Sequence, residues 1–248
     1  MTPESKTAVV TGAASGIGNA VLHLLLARHV GVIAVDVDQE ALDDLAGTPA
    51  VKTIAVDLAD AKQRDRLSEE AGEVDYLVNC AGLIRLAPIA SFDLESWRQI
   101  FAVNAEAVFF LTQALMPSIR DGGGIVNVSS AAAKLGTATE SAAYAASKAA
   151  VLSITRSFAH ELAPRHIRVN AVCPGLVNTA MQEEVIAGKL QLFGGDRAEL
   201  SKKRLEAVPL ARVASPMEIA EAICFLLSDG ASYMTGEAIN VSGGMVTW

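Results

Sequence analysis

Short apolar, β-branched runs alternate along the chain with stretches whose apolar positions recur every three to four residues. The runs at 7–11, 32–37, 52–57, 76–79, 125–129, 167–172 and 238–241 read as strands. Helical patterns lie at 17–28, 39–45, 61–71, 94–116, 142–163 and 215–227. In the last of these Ser215 is placed as N-cap and Pro216 at the first helical position. The strands are apolar throughout instead of alternating, which is the pattern of parallel strands covered on both faces. Strand, helix and strand in right-handed succession predict a three-layer, doubly wound α/β architecture.

No repeat, low-complexity stretch or Pro/Ser-rich linker divides the chain, so residues 1–248 are expected to form one domain. The segment at about 178–208 breaks the rhythm, being polar at intervals and containing Gly188, Gly194 and Gly195. Long insertions in compact domains usually act as lids or binding loops. This one is expected to be a mobile helix-and-loop flap over a substrate.

Composition narrows the function classes. Hydrophobic residues make up 51% and charged residues 19%, which excludes a disordered chain. The net charge is −8 and no basic run occurs, so nucleic acid is not an expected partner. No apolar run reaches the roughly 20 residues that span a bilayer. The start of the chain lacks the basic, apolar and small-residue pattern of a secretory leader. A cytoplasmic protein without membrane contact is therefore expected. Cys80, Cys173 and Cys224 are far apart and odd in number, so reduced thiols are expected and no metal site.

The first strand runs into Thr11-Gly12-Ala13-Ala14-Ser15-Gly16-Ile17-Gly18 and then a helix. Glycines there permit a tight turn and close backbone approach to a pyrophosphate, with the helix N-terminus aimed at the phosphates. Gly12, Ser15, Gly16, Ile17 and Gly18 are the expected contacts. Asp36 closes the second strand, about 20 residues further on, where an acid accepts hydrogen bonds from a ribose diol. It repels a 2′-phosphate, and no Arg or Lys stands in the turn to offset it. The expected cofactor is NAD.

These residues, with Asn79-Cys80-Ala81-Gly82, Asn104, Tyr144-xxx-Lys148, Pro174-Gly175, Thr235-Gly236 and Gly243-Gly244, resemble the short-chain dehydrogenase/reductase family over essentially the whole chain. The resemblance implies a Rossmann fold with a seven-stranded parallel sheet in the order 3-2-1-4-5-6-7. It implies adenine contacts at Asp57 and Leu58, ribose contacts and sheet bracing at Asn79, Ala81 and Gly82, and nicotinamide contacts at Pro174, Gly175, Val177 and Thr179. The family usually has Asn where Cys80 stands.

Tyr144 and Lys148 share one helix face at a spacing of four. A nearby ammonium and a positive nicotinamide favour phenolate, so Tyr144 is expected to titrate near neutrality as general acid/base. By resemblance, Tyr144 takes the alcohol proton and Lys148 also binds the nicotinamide ribose. Ser130 is expected to hydrogen-bond the substrate oxygen, in preference to its neighbour Ser129. Ser130 precedes Tyr144 by fourteen positions, one more than in many relatives, so the loop 131–143 is expected to bulge. Asn104 is expected to hold a water linking Lys148 to solvent.

Aromatics are only 5%, so a broad aromatic pocket is not indicated. Lid residues Gln182, Glu183, Glu184, Lys189, Gln191, Arg197, Lys202, Lys203 and Arg204, with Arg85 outside the lid, are the candidates for recognising hydroxyls or a carboxylate. Lys134 and Glu140 lie in the serine loop. The resemblance is to the branch holding cytosolic 3-hydroxybutyrate and 2-keto-3-deoxy sugar-acid dehydrogenases. The expected activity is NAD-dependent oxidation of a secondary alcohol on a small sugar acid, sugar or polyol. The competing readings are an NADPH-dependent 3-oxoacyl carrier-protein reductase and a non-catalytic nucleotide-sensing scaffold. Family likeness implies a homotetramer, for which the apolar faces at 103–116 and 149–158 are suited.

Overall fold

The computed structural model describes residues 6–136 and 139–248. Residues 1–5 and part of the expected bulge in the 131–143 loop lie outside the described residues. The strands are β1 (Thr7–Thr11), β2 (Gly31–Asp36), β3 (Val51–Ala55), β4 (Val74–Asn79), β5 (Ile119–Val128), β6 (Arg168–Pro174) and β7 (Ala238–Val241). They form one seven-stranded sheet in the order β3-β2-β1-β4-β5-β6-β7. Every neighbouring pair is parallel. The doubly wound sheet expected from the pattern is present.

The helices are α1 (Gly16–Ala27), α2 (Gln39–Asp43), α3 (Ala61–Ala71), α4 (Leu94–Phe101), α5 (Ala107–Leu115), α6 (Ala142–Leu162), α7 (Ala180–Phe193), α8 (Arg197–Glu206) and α9 (Pro216–Leu227). Successive strand side chains point to opposite faces. Ala8 and Val10 of β1 therefore pack with Leu22 and Leu25 of α1, Leu42 of α2 and Ile219 and Ile223 of α9. Val9 packs on the other face with Leu77, Ile125, Leu67 of α3, Leu111 and Leu115 of α5, and Phe158 of α6. Each of the fully buried leucines contributes roughly 2 kcal/mol by leaving water.

Two boundaries differ from the pattern. The strand expected at 125–129 starts at Ile119, and its pairing with β4 shifts register between Val74 and Tyr76. Gly122, Gly123 and Gly124 hide this extension, because glycines carry no apolar signal. The helix expected over 94–116 is interrupted at Ala102–Glu106 by a π-helical segment containing Asn104. A π-bulge inserts an extra residue without changing the apolar spacing enough to be read.

All seven strands end at one edge of the sheet. β1 sits where the order reverses, with β2 on one side and β4 on the other. The crevice at such a switch point is where open α/β sheets bind ligands. No helix among the described residues is long and apolar enough to cross a membrane.

Candidate active site

A cavity of about 650 Å³ opens over the carboxyl ends of the strands. Its first wall is the turn from β1 into α1. Gly12 has φ +66, and a Cβ there would lie 3.0 Å from the backbone of Ala81. At Gly18 a Cβ would lie 2.0 Å from the Gly12 carbonyl oxygen, so only glycine lets the turn close on itself. Thr11 Oγ1 accepts from the backbone N–H of Cys80 at 3.0 Å and of Ala81 at 3.1 Å, which ties this turn to the end of β4. Ser15 is the α1 N-cap without a side-chain cap bond. The free first-turn N–H groups of α1 lie along the cavity edge, a ready anion site.

Asp36 lines the same cavity from the end of β2. Its carboxylate accepts from Ala14 N–H at 3.0 Å and Val37 N–H at 2.8 Å, so it is held against the glycine turn. Val56, Asp57 and Leu58 continue the wall past β3. Asp57 Oδ1 accepts from Ala59 N–H at 2.9 Å.

At the other end stand Ser130, Tyr144 and Lys148, all lining the cavity. Ser130 caps a 3-10 turn, its Oγ accepting from Ala132 N–H at 3.1 Å. Ser129 is buried and donates Oγ–H to the Lys148 carbonyl at 2.8 Å, so its hydroxyl is committed to the α6 backbone. Lys148 Nζ donates to the Val128 carbonyl at 2.8 Å and lies 6.0 Å from the Tyr144 ring centroid. Burial pushes the Tyr144 phenol above its ordinary value, and a hydrogen bond with Ser130 pulls the other way. Burial lowers Lys148 to about 8. The Cys80 thiol is pushed up to about 12 by burial and stays neutral beside them.

Asn104 is fully buried in the π segment. Its Oδ1 accepts from Leu83 N–H at 2.8 Å, and its Nδ2 donates to the Leu83 carbonyl at 2.9 Å and to Ser147 Oγ at 3.0 Å. A Cβ on Gly82 would lie 3.2 Å from Lys148 Nζ and 3.3 Å from Asn104 Oδ1, so the two groups converge over this glycine.

The roof is the 178–208 segment, which forms α7 and α8 with a short glycine-containing loop between them. Ile186 is the only fully buried residue of α7, and α8 has none. Lys189 Nζ of α7 meets Glu140 Oε1 of the serine loop at 2.6 Å. Arg204 Nη2 of α8 donates to Gln182 Oε1 at 3.0 Å. Leu83, Leu86, Met181 and Met245 supply apolar wall.

Residues 12–246 match the family model described as enoyl-(acyl carrier protein) reductase. The 3-oxoacyl-(acyl-carrier-protein) reductase of Thermotoga maritima is 38% identical over 254 residues, covering 98% of each chain. The chain belongs to the short-chain dehydrogenase/reductase family. The 2-keto-3-deoxy-L-fuconate dehydrogenase of Xanthomonas campestris is 31% identical over 244 residues, covering 97% of this chain and 80% of that one. A blue fluorescent protein from a metagenomic library, solved in complex with NADPH, superposes with a TM-score of 0.87 at 30% identity over 98% of both chains.

This short-chain dehydrogenase/reductase is an oxidoreductase that uses a nicotinamide cofactor. The cradle fits such a group, since Ser15, Gly16, Ile17 and Gly18 at the α1 N-terminus line it and the Asp36 carboxylate stands at its rim. Gly12, Ser15, Gly16, Ile17, Gly18, Asp36, Asp57, Leu58, Ala81, Gly82, Pro174, Gly175, Val177 and Thr179 all line the cavity.

Asn79 does not line it. Its Nδ2 turns inward to Asn127 Oδ1 at 2.8 Å and Thr112 Oγ1 at 3.2 Å, bracing β4 against β5 and α5. This buried contact is the sheet bracing expected of Asn79, and the side chain is turned away from the cavity. The protein's own groups shift Tyr144 upward and not downward as expected: burial outweighs its hydrogen bond with Ser130, and Lys148 Nζ is turned to the Val128 carbonyl.

Arg85 and Arg197 also drop out as pocket residues. Arg85 is exposed and donates to the Ile84 carbonyl at 3.1 Å, and Arg197 pairs with Glu183 on the outer surface. Sequence reasoning missed Leu86 and Met245, which reach the cavity from separate loops with no motif to mark them. Thr11 did carry a signal, as the residue opening the glycine motif.

Proposed function

We propose that the enzyme oxidises a secondary alcohol to a ketone with NAD, on a small polar substrate such as a sugar acid, sugar or polyol. The observation that carries this reading is the single cavity that joins the Asp36 and glycine cradle to Ser130, Tyr144 and Lys148. The cradle residues hold the dinucleotide, with Asp36 on the adenosine ribose. When bound, the oxidised cofactor would supply the acceptor for the hydride of the alcohol carbon.

The chain's own groups handle the proton. Ser130 Oγ orients the substrate oxygen toward the Tyr144 hydroxyl. Tyr144 removes the alcohol proton in oxidation and returns it in reduction. Lys148 supplies positive charge on the cofactor side of the phenol and binds the nicotinamide ribose. Asn104 Oδ1 keeps one lone pair beyond its Leu83 bond, which suits it to a water leading from Lys148 to solvent. The two roof helices act as a lid, supported by their few buried residues. Three free cysteines fit a reducing, cytoplasmic setting. A homotetramer is supported by the exposed Phe109 and Phe110 of α5, and light scattering reads it directly.

Spectrophotometric NAD+ reduction against sugar acids, polyols and 3-hydroxy acids tests the reading. Turnover of at least one of these is expected, with hydrophobic ketones and long acyl thioesters inactive in the reverse direction. Turnover confined to acyl thioesters with NADPH overturns it in favour of an acyl carrier-protein reductase.

The pH profile follows from the shifts. The protein's own groups raise the Tyr144 phenol and suit it as the acid for ketone reduction, while the positive charge of a bound oxidised nicotinamide would favour the phenolate that oxidation needs. Lys148, lowered to about 8, loses its charge as pH rises through that value. The kcat/KM for reduction is therefore expected to be flat at neutral pH and to fall above about 8. Lys148→Met should lower the rate and remove that break. A profile with no break near 8 in the native enzyme sinks the assignment.

A further inference from the structure

The substrate end of the cavity holds one cation with unused hydrogen-bonding capacity. Arg204 donates Nη2 to Gln182, but its Nη1 is buried and meets no acceptor among the described residues. Buried polar groups are nearly always paired, and a guanidinium N–H left dry forfeits a charge-assisted bond. Burial draws the Arg204 guanidinium below its ordinary value, with Glu140 opposing. Arginine nevertheless stays charged in proteins.

The neighbouring charges do not cancel it. Glu140 is paired with Lys189 at 2.6 Å. Burial works to raise the Glu140 carboxyl, but the Lys189 bond, a backbone bond and the charges of Lys189 and Arg204 together outweigh it and hold the group ionised. Lys189 and Glu140 thus neutralise each other, and the charge of Arg204 is left over. It stands in a chamber walled by Leu83, Leu86, Met181 and Met245, shared with the Tyr144 hydroxyl.

We propose that Arg204 Nη1 receives an oxygen of a carboxylate on the substrate, which makes the preferred substrate a short hydroxy acid and not a neutral polyol. This rests on the alcohol dehydrogenase reading above. A carboxylate is a monoanion and matches the one unbalanced positive charge. A phosphate ester carries nearly two negative charges at neutral pH and leaves one facing Glu140. A hydroxyl fills the hydrogen bond but leaves the guanidinium charge uncompensated among apolar walls.

The test uses matched pairs: gluconate with gluconamide, and 3-hydroxybutyrate with 3-hydroxybutyramide. Each is titrated calorimetrically into the enzyme–NADH complex and assayed for NAD+ reduction. At least one acid is expected to exceed its amide by about 100-fold, the scale of a charge-assisted bond to a buried cation. In Arg204→Gln the gap closes while NADH affinity is unchanged, and Arg204→Lys restores part of it. An amide that equals its acid in every pair overturns the proposal, as does a gap that survives in Arg204→Gln or failure of every acid to bind. Arg204-dependent binding of acids with no alcohol turned over leaves the carboxylate site standing and defeats the dehydrogenase reading. Turnover of amides without preference for acids does the reverse. If Arg204→Gln does not fold, competition by acetate against acetamide in the native enzyme reads the same site.

Discussion

Tyr144→Phe is expected to lower kcat for alcohol oxidation by about 10²–10⁴, the range that a positioned proton-transfer group supplies. At 1.36 kcal/mol per tenfold, this is roughly 3–5 kcal/mol of transition-state stabilisation. The substitution keeps the ring and removes one oxygen. The phenol's interactions are with Ser130 and the cavity, not with the fold, so the thermal midpoint should hold. NADH affinity, read by fluorescence titration, should change by less than about twofold, because the cradle is formed by other residues. A Tyr144→Phe enzyme with unchanged kcat would show that the phenol is not the acid/base.

Replacing Asp36 should produce the second largest effect, on the choice of cofactor. The carboxylate is fixed by Ala14 N–H and Val37 N–H, so it cannot swing away from an incoming phosphate. Two charges about 4 Å apart near a protein surface interact by about 4 kcal/mol before ionic screening. Asp36→Arg exchanges that repulsion for attraction and removes the ribose bonds. The ratio of kcat/KM for NAD+ to that for NADP+ is expected to fall by about 100-fold or more. A native enzyme that already prefers NADP+ defeats the assignment of Asp36 at once. An unchanged ratio in the variant shows that the ribose lies elsewhere.

Much of the site was legible because its parts are local. The glycines of 12–18 and the helix they open are covalent neighbours, and only glycine tolerates the 2.0 Å approach at Gly18. Tyr144 and Lys148 share a face because a helix repeats every 3.6 residues. The choice of Ser130 over Ser129 matches their geometry, since adjacent residues leaving a strand face opposite ways and Ser129 is bonded to the Lys148 carbonyl. Asn79 and Asn104 were less legible. Both stand in recognisable motifs, yet their amides turn to partners 33 and 48, or 21 and 43, positions away. Nothing in the motif states that direction. The lid charges show the same limit, for Arg197 and Arg204 stand on one short helix, and only Arg204 reaches the cavity.

By itself the sequence determined the doubly wound sheet, the glycine turn at the end of its first strand, and the shared helix face of Tyr144 and Lys148. Alternation and helical spacing are properties of the backbone over a few residues, and seven apolar strands joined by helices have few other ways to bury both faces. The tertiary structure decided which arginine of the 178–208 segment lines the cavity, which asparagines brace the core, and which way Tyr144 shifts. Those depend on desolvation and on contacts between segments far apart in the chain. Burial around Tyr144 outweighs its hydrogen bond with Ser130, and that balance exists only after the chain has packed.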